Sequence, residues 1–364
     1  MKRYTIVHCL THMCRGGAET FIMNVLRNID LEKYKICFLL ATDEGDYIKE
    51  IKERGCEIYT IGTRREGITY YKRLKNFFKY HAGEIDVLHY HTSSLSSIEV
   101  LWFAKMYGIR KRIIHSHNTN QKSFVHKSLH YLTKPLVRFA ATDYLSCSEL
   151  AADWMFNNTG VRNKVKVLNN GIDLQVFTFD PEIRKEKRRE LGIADSTLVV
   201  MHVGRFCHVK NHEFLVKIFN NLLSVHSDSV LIMIGRGETE SNIRKQVDEY
   251  NISDKVIFAG VQENVAIWLQ AADVFVFPSF YEGLPVALVE AQATGLPVIC
   301  SANVSEESKL TPNFDFLKLE EPLETWTTHI LFMHSLARES GAKYIENKGY
   351  SIKSTVNKLI TEIY

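Results

Sequence analysis

Paired cysteines are missing from this sequence. Its 364 residues include seven cysteines, and no two of them have the Cys-x-x-Cys spacing. An odd, scattered set of this kind does not indicate a disulfide framework. We therefore expect a reduced, cytoplasmic protein in which most cysteines pack as small hydrophobic side chains.

Long hydrophobic runs and a strong net charge are also absent. No apolar run approaches the roughly 20 residues of a membrane-spanning helix. The first ten residues lead into Thr11-His12-Met13-Cys14-Arg15, which offers no small-residue cleavage site, so they predict a first strand and not a signal peptide. The net charge of +3 is too small to indicate nucleic-acid binding.

The chain is long enough for two domains, and its composition is that of a globular protein. Of its 364 residues, 45% are hydrophobic and 24% are charged. Short β-rich runs alternate with helical patterns, without internal repeats, which predicts parallel sheets with helices on both faces. We expect an α/β protein with two Rossmann-like, doubly wound domains whose functional edges lie at the carboxyl ends of the strands.

The domain boundary is predicted in the segment 169–173 and in the charged run 184–190. The N-terminal domain then covers residues 1–170 and the C-terminal domain residues 171–349. A helix at about 350–364 is expected to pack back on the N-terminal domain.

Residues 278–297 contain the most informative pattern. The apolar run 273–277 predicts a buried strand, Gly283 and Leu284 follow in a loop, and residues 286–293 predict a helix. Backbone amides at a helix N-terminus suit anions and sugar oxygens. Glu282 lies in the loop and Glu290 on the helix, where a carboxylate can accept two hydrogen bonds from a diol such as ribose. Alternatively, both are solvated glutamates of an ordinary strand–loop–helix unit.

Glycines and cations follow other predicted strands. Gly16 and Gly17 join the first strand to the first helix, where backbone can approach a ligand, but the pattern is not the dinucleotide-binding Gly-x-Gly-x-x-Gly. Gly204-Arg205 follows a strand, and Lys210 precedes the next helix. Two cations this close can neutralise a diphosphate, although most such side chains are merely solvated.

Two His-x-His pairs end neighbouring predicted strands, His89/His91 and His115/His117. Residues two apart on a strand face the same way. Imidazoles on adjacent strands can ligate zinc, but no cysteine or carboxylate obviously completes such a site. We therefore favour packed or substrate-facing histidines.

Together these segments resemble the retaining GT-B glycosyltransferases of family 4 (group 1). The residues of the motifs are most similar to those of the bacterial capsule and exopolysaccharide branch. The resemblance covers roughly residues 4–360, with the motifs in the expected order. It implies the GT-B fold, in which the two domains flank a cleft. Gly235-Arg236-Gly237-Glu238 departs slightly from the commoner Gly-x-Gly-Pro form, which affects only the expected shape of that loop.

The resemblance implies roles for individual residues. Glu282 would hold hydroxyls of the transferred sugar, and Arg205 with Lys210 would hold the donor diphosphate. His117 would lie near the donor sugar. The remaining residues are expected to bind substrate: Gly16, Gly17, His91, Asn170, Gly204, Val261 (through its backbone, to the base), Gly283, Leu284 and Glu290 (to the ribose).

The implied activity is a metal-independent, cofactor-free transfer of a hexosyl or N-acetylhexosaminyl group. The donor would be a nucleoside-diphosphate sugar, UDP-linked, and the acceptor a saccharide or a polyprenyl-linked saccharide. No Asp-x-Asp motif is present to hold Mg²⁺ or Mn²⁺. Two alternatives stay open: a sugar-nucleotide 2-epimerase of the same fold, and a non-catalytic nucleotide-sugar-binding subunit.

Two basic, aromatic stretches allow a further interpretation. Residues 70–80 and 122–138 combine lysine and arginine with aromatic and aliphatic residues at helical spacing. Such helices commonly pack their apolar face on a sheet. They would also suit peripheral contact with anionic lipid at the inner face of the cell membrane, next to a lipid-linked acceptor.

Overall fold

The computed structural model describes residues 3–118 and 124–364, and every strand in those ranges runs parallel to its neighbours. The chain divides into two compact units. One comprises the chain through Gly171 together with Ile352–Tyr364, and the other comprises Ile172–Ser351. This division lies one residue from the boundary predicted at 170/171.

Thirteen strands occur in the described ranges. They are β1 Tyr4–Cys9, β2 Tyr34–Leu40, β3 Glu57–Thr60, β4 Val87–Thr92, β5 Lys111–Ser116, β6 Asp143–Ser146, β7 Lys166–Val167, β8 Leu198–Val203, β9 Ser229–Ile234, β10 Val256–Gly260, β11 Val274–Phe277, β12 Val298–Ser301 and β13 Phe314–Leu317.

The α-helices alternate with these strands. They are α1 Gly17–Asn28, α2 Ile48–Glu53, α3 Ile68–His81, α4 Glu99–Met106, α5 Phe124–Thr133, α6 Val137–Ala140, α7 Glu149–Phe156, α8 Pro181–Glu190, α9 His212–Val225, α10 Glu240–Glu249, α11 Val265–Ala271, α12 Val286–Ala293, α13 Leu323–His334, α14 Ala342–Asn347 and α15 Ile352–Lys358.

Both sheets have the doubly wound topology. The first unit has the strand order β3-β2-β1-β4-β5-β6-β7, and the second has β10-β9-β8-β11-β12-β13. In each, the order reverses beside the first strand, and such switch points are where α/β sheets bind ligands. The predicted α/β class with two Rossmann-like domains is confirmed.

Each sheet is covered on both faces by hydrophobic clusters, of which the described residues form two in the first unit and three in the second. Phe78, Leu101 and Phe156 pack on one face of the first sheet, and Phe21 and Leu26 on the other. Phe219 and Trp326 cover one face of the second sheet. Burial on both faces explains why the central strands are continuous apolar runs and lack strand alternation.

The C-terminal segment belongs to the core of the first unit. Ile352, Val356, Leu359 and Ile363 are buried in the same cluster as Phe21. The Lys358 ammonium donates a hydrogen bond of 3.0 Å to the carbonyl of Val167. Residues distant in sequence thus complete the core around α1.

The predicted boundary in the charged run 184–190 was wrong, because this run is helix α8. Asp180 caps the helix, its carboxylate accepting hydrogen bonds from the amides of Glu182 and Ile183. Arg184 and Arg188 bind the two carboxylate oxygens of Asp273 at 2.6 and 3.1 Å. A buried arginine is stable when it is paired with a carboxylate in this way. The charged run can therefore be a packed helix, although its composition predicts an exposed segment.

The strand β13 was not predicted from the sequence. It has only four residues, follows a proline at position 312, and becomes a strand by pairing with β12.

The two basic stretches differ in what they expose. In α3, Tyr70, Leu74, Phe77 and Phe78 are buried, so the aromatic residues of this stretch mostly pack on the sheet. Lys122 of the second stretch lies outside the described residues.

The nearly continuous helical segment 124–140 exposes apolar side chains at spacings of seven, four and three residues. We call Val125, Leu132, Leu136 and Phe139, which are 63%, 73%, 44% and 48% exposed, the apolar strip. Helical geometry places them on one face. In the described part of the chain, no helix has the length and apolar character needed to cross a bilayer.

Candidate functional site

The carboxyl edge of the second sheet carries most of the predicted donor residues. β8 ends at Val203 and is followed by Gly204, while β11 ends at Phe277 and leads into the loop with Glu282. β8 and β11 are neighbours at the point where the strand order reverses. The fold thus brings both loops to the edge where ligands bind in such sheets.

Backbone hydrogen bonds hold the loops at this edge together. The amide of Gly204 donates to the carbonyl of Ile234 at 2.9 Å, and the amide of Gly235 donates to that of Gly260 at 2.8 Å. Gly235 has a φ of 141°, and a Cβ there would collide with the carbonyl of Gly204. Val261 directly follows Gly260, at the end of β10.

Lys210 and Glu282 form the central ion pair of this edge. The Lys210 Nζ lies 2.9 Å from Glu282 Oε1, with the side chains 16% and 23% exposed. The same ammonium lies 4.4 Å from the centre of the Phe277 ring. Its methylene groups cover Gly204, where a Cβ would lie 3.3 Å from Lys210 Cδ. Because the pair remains partly open to solvent, a ligand can compete for either charge.

Arg205 is exposed and forms no ion pair with any residue of the described ranges. Its guanidinium follows Gly204 at the same strand end. It therefore supplies a second positive charge in the loop that precedes Lys210.

The helix α12 starts where the sequence predicts, at Val286, and ends at Ala293. Gly283 and Leu284 lie just before it. Burial raises the pKa of the Glu290 carboxyl to about 7. No described residue hydrogen-bonds to this carboxyl, so its oxygens remain available to a ligand.

Three polar side chains at this edge were overlooked by the sequence analysis as site candidates. Ser279 Oγ and His202 Nε2 are buried without a hydrogen-bond partner among the described residues. The Asn211 side-chain amide donates to the carbonyl of Pro278 at 3.1 Å, which ties the start of α9 to the Glu282 loop. Ser279 lies within the segment 278–297, but sequence alone does not reveal that its Oγ is buried without a partner among the described residues.

In the first unit, the loop after β1 contains Gly16 and Gly17. Gly16 precedes α1 in an extended conformation, and α1 begins at Gly17. A Cβ on Gly17 would meet no atom within 4 Å, whereas one on Gly16 would lie 2.5 Å from Glu19 Oε2. Among the described residues, the backbone therefore has open space at Gly17 and not at Gly16.

His91 and His117 are in direct contact. The His91 Nδ1 lies 2.9 Å from His117 Nε2, and the His91 Nε2 lies 2.9 Å from His8 Nδ1. Burial lowers the pKa of His117 to about 3 and that of His91 well below its ordinary value. Both imidazoles are therefore neutral at physiological pH, and they offer hydrogen bonds or metal coordination but no positive charge.

His8 was missed in the sequence analysis, although it lies within the first predicted strand. The strand β1 pairs with β4 so that His8 stands opposite His89. Asn170, another predicted residue, is buried, and its Oδ1 has no hydrogen-bond partner among the described residues. The structure thus unites His91 with His117 in one unit and Lys210 with Glu282 in the other.

Comparison with known protein families gives two matches. Residues 15–176 match the model described as Glycosyltransferase Family 4, and residues 183–314 match that described as Glycosyl transferases group 1.

Similar proteins cover nearly the whole chain. It is 33% identical to the putative glycosyltransferase EpsF of Bacillus subtilis, over 98% of this chain and 95% of the relative. It is 25% identical to the capsular polysaccharide biosynthesis glycosyltransferase CapH of Staphylococcus aureus, over 99% and 98%. Over 70% of the chain and 65% of the relative it is 32% identical to the UDP-Gal:alpha-D-GlcNAc-diphosphoundecaprenol alpha-1,3-galactosyltransferase of Escherichia coli.

Among solved structures, Anabaena Alr3699/HepE in complex with UDP and glucose matches with a TM-score of 0.78 at 16% identity, over 98% of both chains. This likeness supports the GT-B type of fold.

Proposed function

The chain belongs to the group 1, family 4 glycosyltransferases, and from this premise we propose that it transfers a sugar with retention from a UDP-sugar to a saccharide or lipid-linked saccharide in bacterial surface-polysaccharide synthesis. The observation that carries the proposal is the Lys210–Glu282 pair at the carboxyl edge of the second sheet, beside the unpaired Arg205.

The cations of this edge would hold the donor diphosphate. The leaving nucleoside diphosphate gains negative charge as the glycosidic bond breaks. Arg205 and Lys210 can stabilise that charge without a metal ion. We therefore propose that no divalent cation is required for transfer.

The two glutamates would divide the remaining donor contacts. Glu282, already beside Lys210, would accept hydrogen bonds from hydroxyls of the transferred sugar. Glu290, whose buried carboxyl has no protein partner in the described ranges, would accept from the ribose hydroxyls. The backbone of Val261 would contact the base, and Gly204, Gly283 and Leu284 would line the donor site.

The first unit would contribute the acceptor side. Among the described residues, Gly17 leaves open space at the start of α1, and Gly16 precedes it. His117, neutral and partly exposed, would hydrogen-bond to the donor sugar near the reaction centre, with His91 and Asn170 as lining residues.

The proposed chemistry is a same-face displacement. The bond between the anomeric carbon and the diphosphate oxygen breaks, and the acceptor hydroxyl oxygen bonds to that carbon on the same face. The hydroxyl proton passes to the departing diphosphate, so no protein nucleophile is needed.

Relatives and exposed surface support the substrate classes. UDP or a UDP-sugar appears in the names of the Escherichia coli relative and the Anabaena structure, and the Escherichia coli name includes a lipid-diphosphate acceptor. The apolar strip, flanked by the exposed cations Lys127 and Arg138, would let the protein contact anionic membrane lipid that carries such an acceptor.

A thermal-shift panel of UDP-, GDP- and TDP-sugars tests the donor class, because a ligand that binds only the folded state raises the melting temperature. The stabilising sugar is then incubated with lipid-diphosphate saccharides, and the product anomer is read by NMR. We expect UDP-sugar binding and a product of retained configuration. An inverted product refutes retention, a 2-epimerised donor indicates the epimerase, and binding without turnover across the acceptors indicates a binding subunit.

A further inference from the structure

Five histidines meet inside the first unit, although they come from three strands. They are His8 on β1, His89 and His91 on β4, and His115 and the adjoining His117 at β5. The parallel register pairs His8 with His89 and His91 with His115. We call this set the histidine cluster.

Two overlapping trios of the cluster have metal-site dimensions, His8/His89/His91 and His91/His115/His117, and the second includes the partly exposed His117. One ring nitrogen from each of His91, His115 and His117 lies within 4.8 Å of the other two. In a tetrahedral zinc site with Zn–N bonds of about 2.0–2.1 Å, ligand nitrogens are about 3.3 Å apart. The His91 and His117 nitrogens that face each other are already 2.9 Å apart. Small ring rotations would thus bring the three nitrogens around one ion.

Two nitrogens of this trio lack partners. His115 Nε2 and His117 Nδ1 are buried and form no hydrogen bond with the residues that the structure describes. A buried polar atom of this kind costs stability unless a ligand or water satisfies it. An ion bound through His115 Nε2 would satisfy one of the two, whereas His117 would ligate through Nε2, the atom that faces His91.

We propose that His91, His115 and His117 form a binding site for a divalent first-row transition ion, Zn²⁺ being the best fit. Neutral imidazoles suit Zn²⁺, Ni²⁺ and Cu²⁺, whereas Mg²⁺ and Mn²⁺ prefer oxygen ligands. Three histidines leave the fourth tetrahedral position to a water or another small ligand.

The remaining histidines supply the hydrogen bonds that metal-ligating imidazoles usually require. His8 Nδ1 lies 2.9 Å from His91 Nε2, and His89 Nε2 lies 3.2 Å from His115 Nδ1. His89 is held in turn by the Tyr364 hydroxyl, 2.9 Å from its Nδ1. Outer partners of this kind fix the ring orientation and increase metal affinity.

The exposure of the rings indicates how an ion enters. His91 and His115 are buried, but His117 is partly exposed and would capture the ion first. Phe21 packs edge-on against His115, with ring centres 5.1 Å apart, and its ring centre also lies 5.7 Å from that of His117. On the basis of the proposed function, an ion bound to His117 would prevent this side chain from hydrogen-bonding to the donor sugar. Zn²⁺ would then inhibit transfer, and EDTA would remove the inhibition.

Isothermal titration of the EDTA-treated, dialysed full-length protein with ZnCl₂ tests the site directly. We expect one tightly bound Zn²⁺ per chain, and Co²⁺ should give the visible absorption of a tetrahedral site. His115→Gln and His117→Gln should each weaken Zn²⁺ binding more than 100-fold. His89→Gln, which removes only an outer partner, should weaken it by about 10–100-fold.

The controls separate this site from other causes. His334→Gln, an exposed histidine of the other unit, should leave Zn²⁺ affinity unchanged. Circular dichroism identifies misfolded variants, and the partly exposed position of His117 makes its replacement the less disruptive. Absence of stoichiometric Zn²⁺ binding by the wild-type protein, or wild-type affinity in both folded ligand variants, overturns the proposal. Because this titration needs no sugar substrate, its result is independent of whether the protein transfers a sugar.

Discussion

Replacing Lys210 by methionine should impair both stability and sugar transfer, because this lysine serves two roles. Its ammonium neutralises Glu282 at 2.9 Å, and it is the cation proposed to meet the donor diphosphate. Methionine keeps the aliphatic contact with Gly204 and removes the charge, together with the ammonium's interaction with the Phe277 ring. The substitution therefore isolates the electrostatic contribution.

The size of the stability loss follows from the geometry of the pair. At a separation of 2.9 Å, the gross attraction is about 6 kcal/mol for an effective dielectric constant of about 20. Desolvation and solvent screening offset most of it. Breaking a fully buried pair costs about 3–5 kcal/mol, and exposed pairs contribute at most about 1 kcal/mol. For this partly exposed pair we expect a loss of about 1–3 kcal/mol.

The kinetic loss should be larger. Removing one preorganised electrostatic group from an active site typically costs about 2–4 kcal/mol. This corresponds to a decrease of roughly 30- to 900-fold in kcat/KM. The assay is UDP release under initial-rate conditions, with thermal melting measured in parallel.

Two matched variants separate the roles. Arg205→Ala removes an exposed cation without an ion pair in the described ranges, so it should lower kcat/KM with almost no change in melting temperature. Lys210→Met combined with Glu282→Gln leaves no unpaired charge and should recover most of the stability but not the activity. Unchanged kinetics in both Lys210→Met and Arg205→Ala would refute the proposed charge neutralisation.

Further consequences can be checked independently. Transfer should persist in excess EDTA, and an enzyme that EDTA inactivates and Mn²⁺ restores would contradict the metal-free mechanism. Glu290→Gln should raise the donor KM while Glu282→Gln mainly lowers kcat, since a contact to the reacting sugar tightens in the transition state; equal effects on both constants would refute the division of roles. Burial raises the pKa of Glu290 from 4.5 to about 7, so the folded protein retains a proton that the unfolded chain has lost, and stability should fall as pH rises from about 4.5 to 7. Glu290→Gln should reduce the difference in unfolding free energy between pH 5 and pH 8 by up to about 3 kcal/mol, and an unaltered difference would contradict the raised pKa. The protein should sediment with anionic vesicles at low salt and less at high salt, and Leu132→Ser with Phe139→Ser should weaken this binding; failure of the wild-type protein to sediment would remove the membrane interpretation.

Sequence patterns were sufficient for the parts of the fold that local physics controls. The apolar run 273–277 predicted a buried strand, which is observed as β11 within one residue of these bounds. The segment around Glu282 and Glu290 was predicted as strand, loop and helix, and α12 begins and ends where expected. Turn residues and capping positions determine such boundaries, and they act over a few neighbouring residues.

These patterns could not predict contacts between residues that are distant in sequence. The run 184–190 has the composition of an exposed linker, yet Arg184 and Arg188 are satisfied by Asp273, about 85 positions along the chain. A charged side chain can be buried once its partner is fixed by the fold, and nothing local specifies that partner. The short strand β13 likewise exists through its pairing with β12.

The histidines show most clearly which properties follow from the sequence and which depend on the tertiary structure. Their identity and their spacing of two on the strands could be read from the sequence, as could the expectation that each pair faces one way. The strand order β1-β4-β5 decided that His8 lies beside His89 and His91, and the return of the C-terminal segment brought Tyr364 to His89. Hydrogen bonds and ligand distances depend on positions to within a fraction of an ångström, and only the packed tertiary structure sets them.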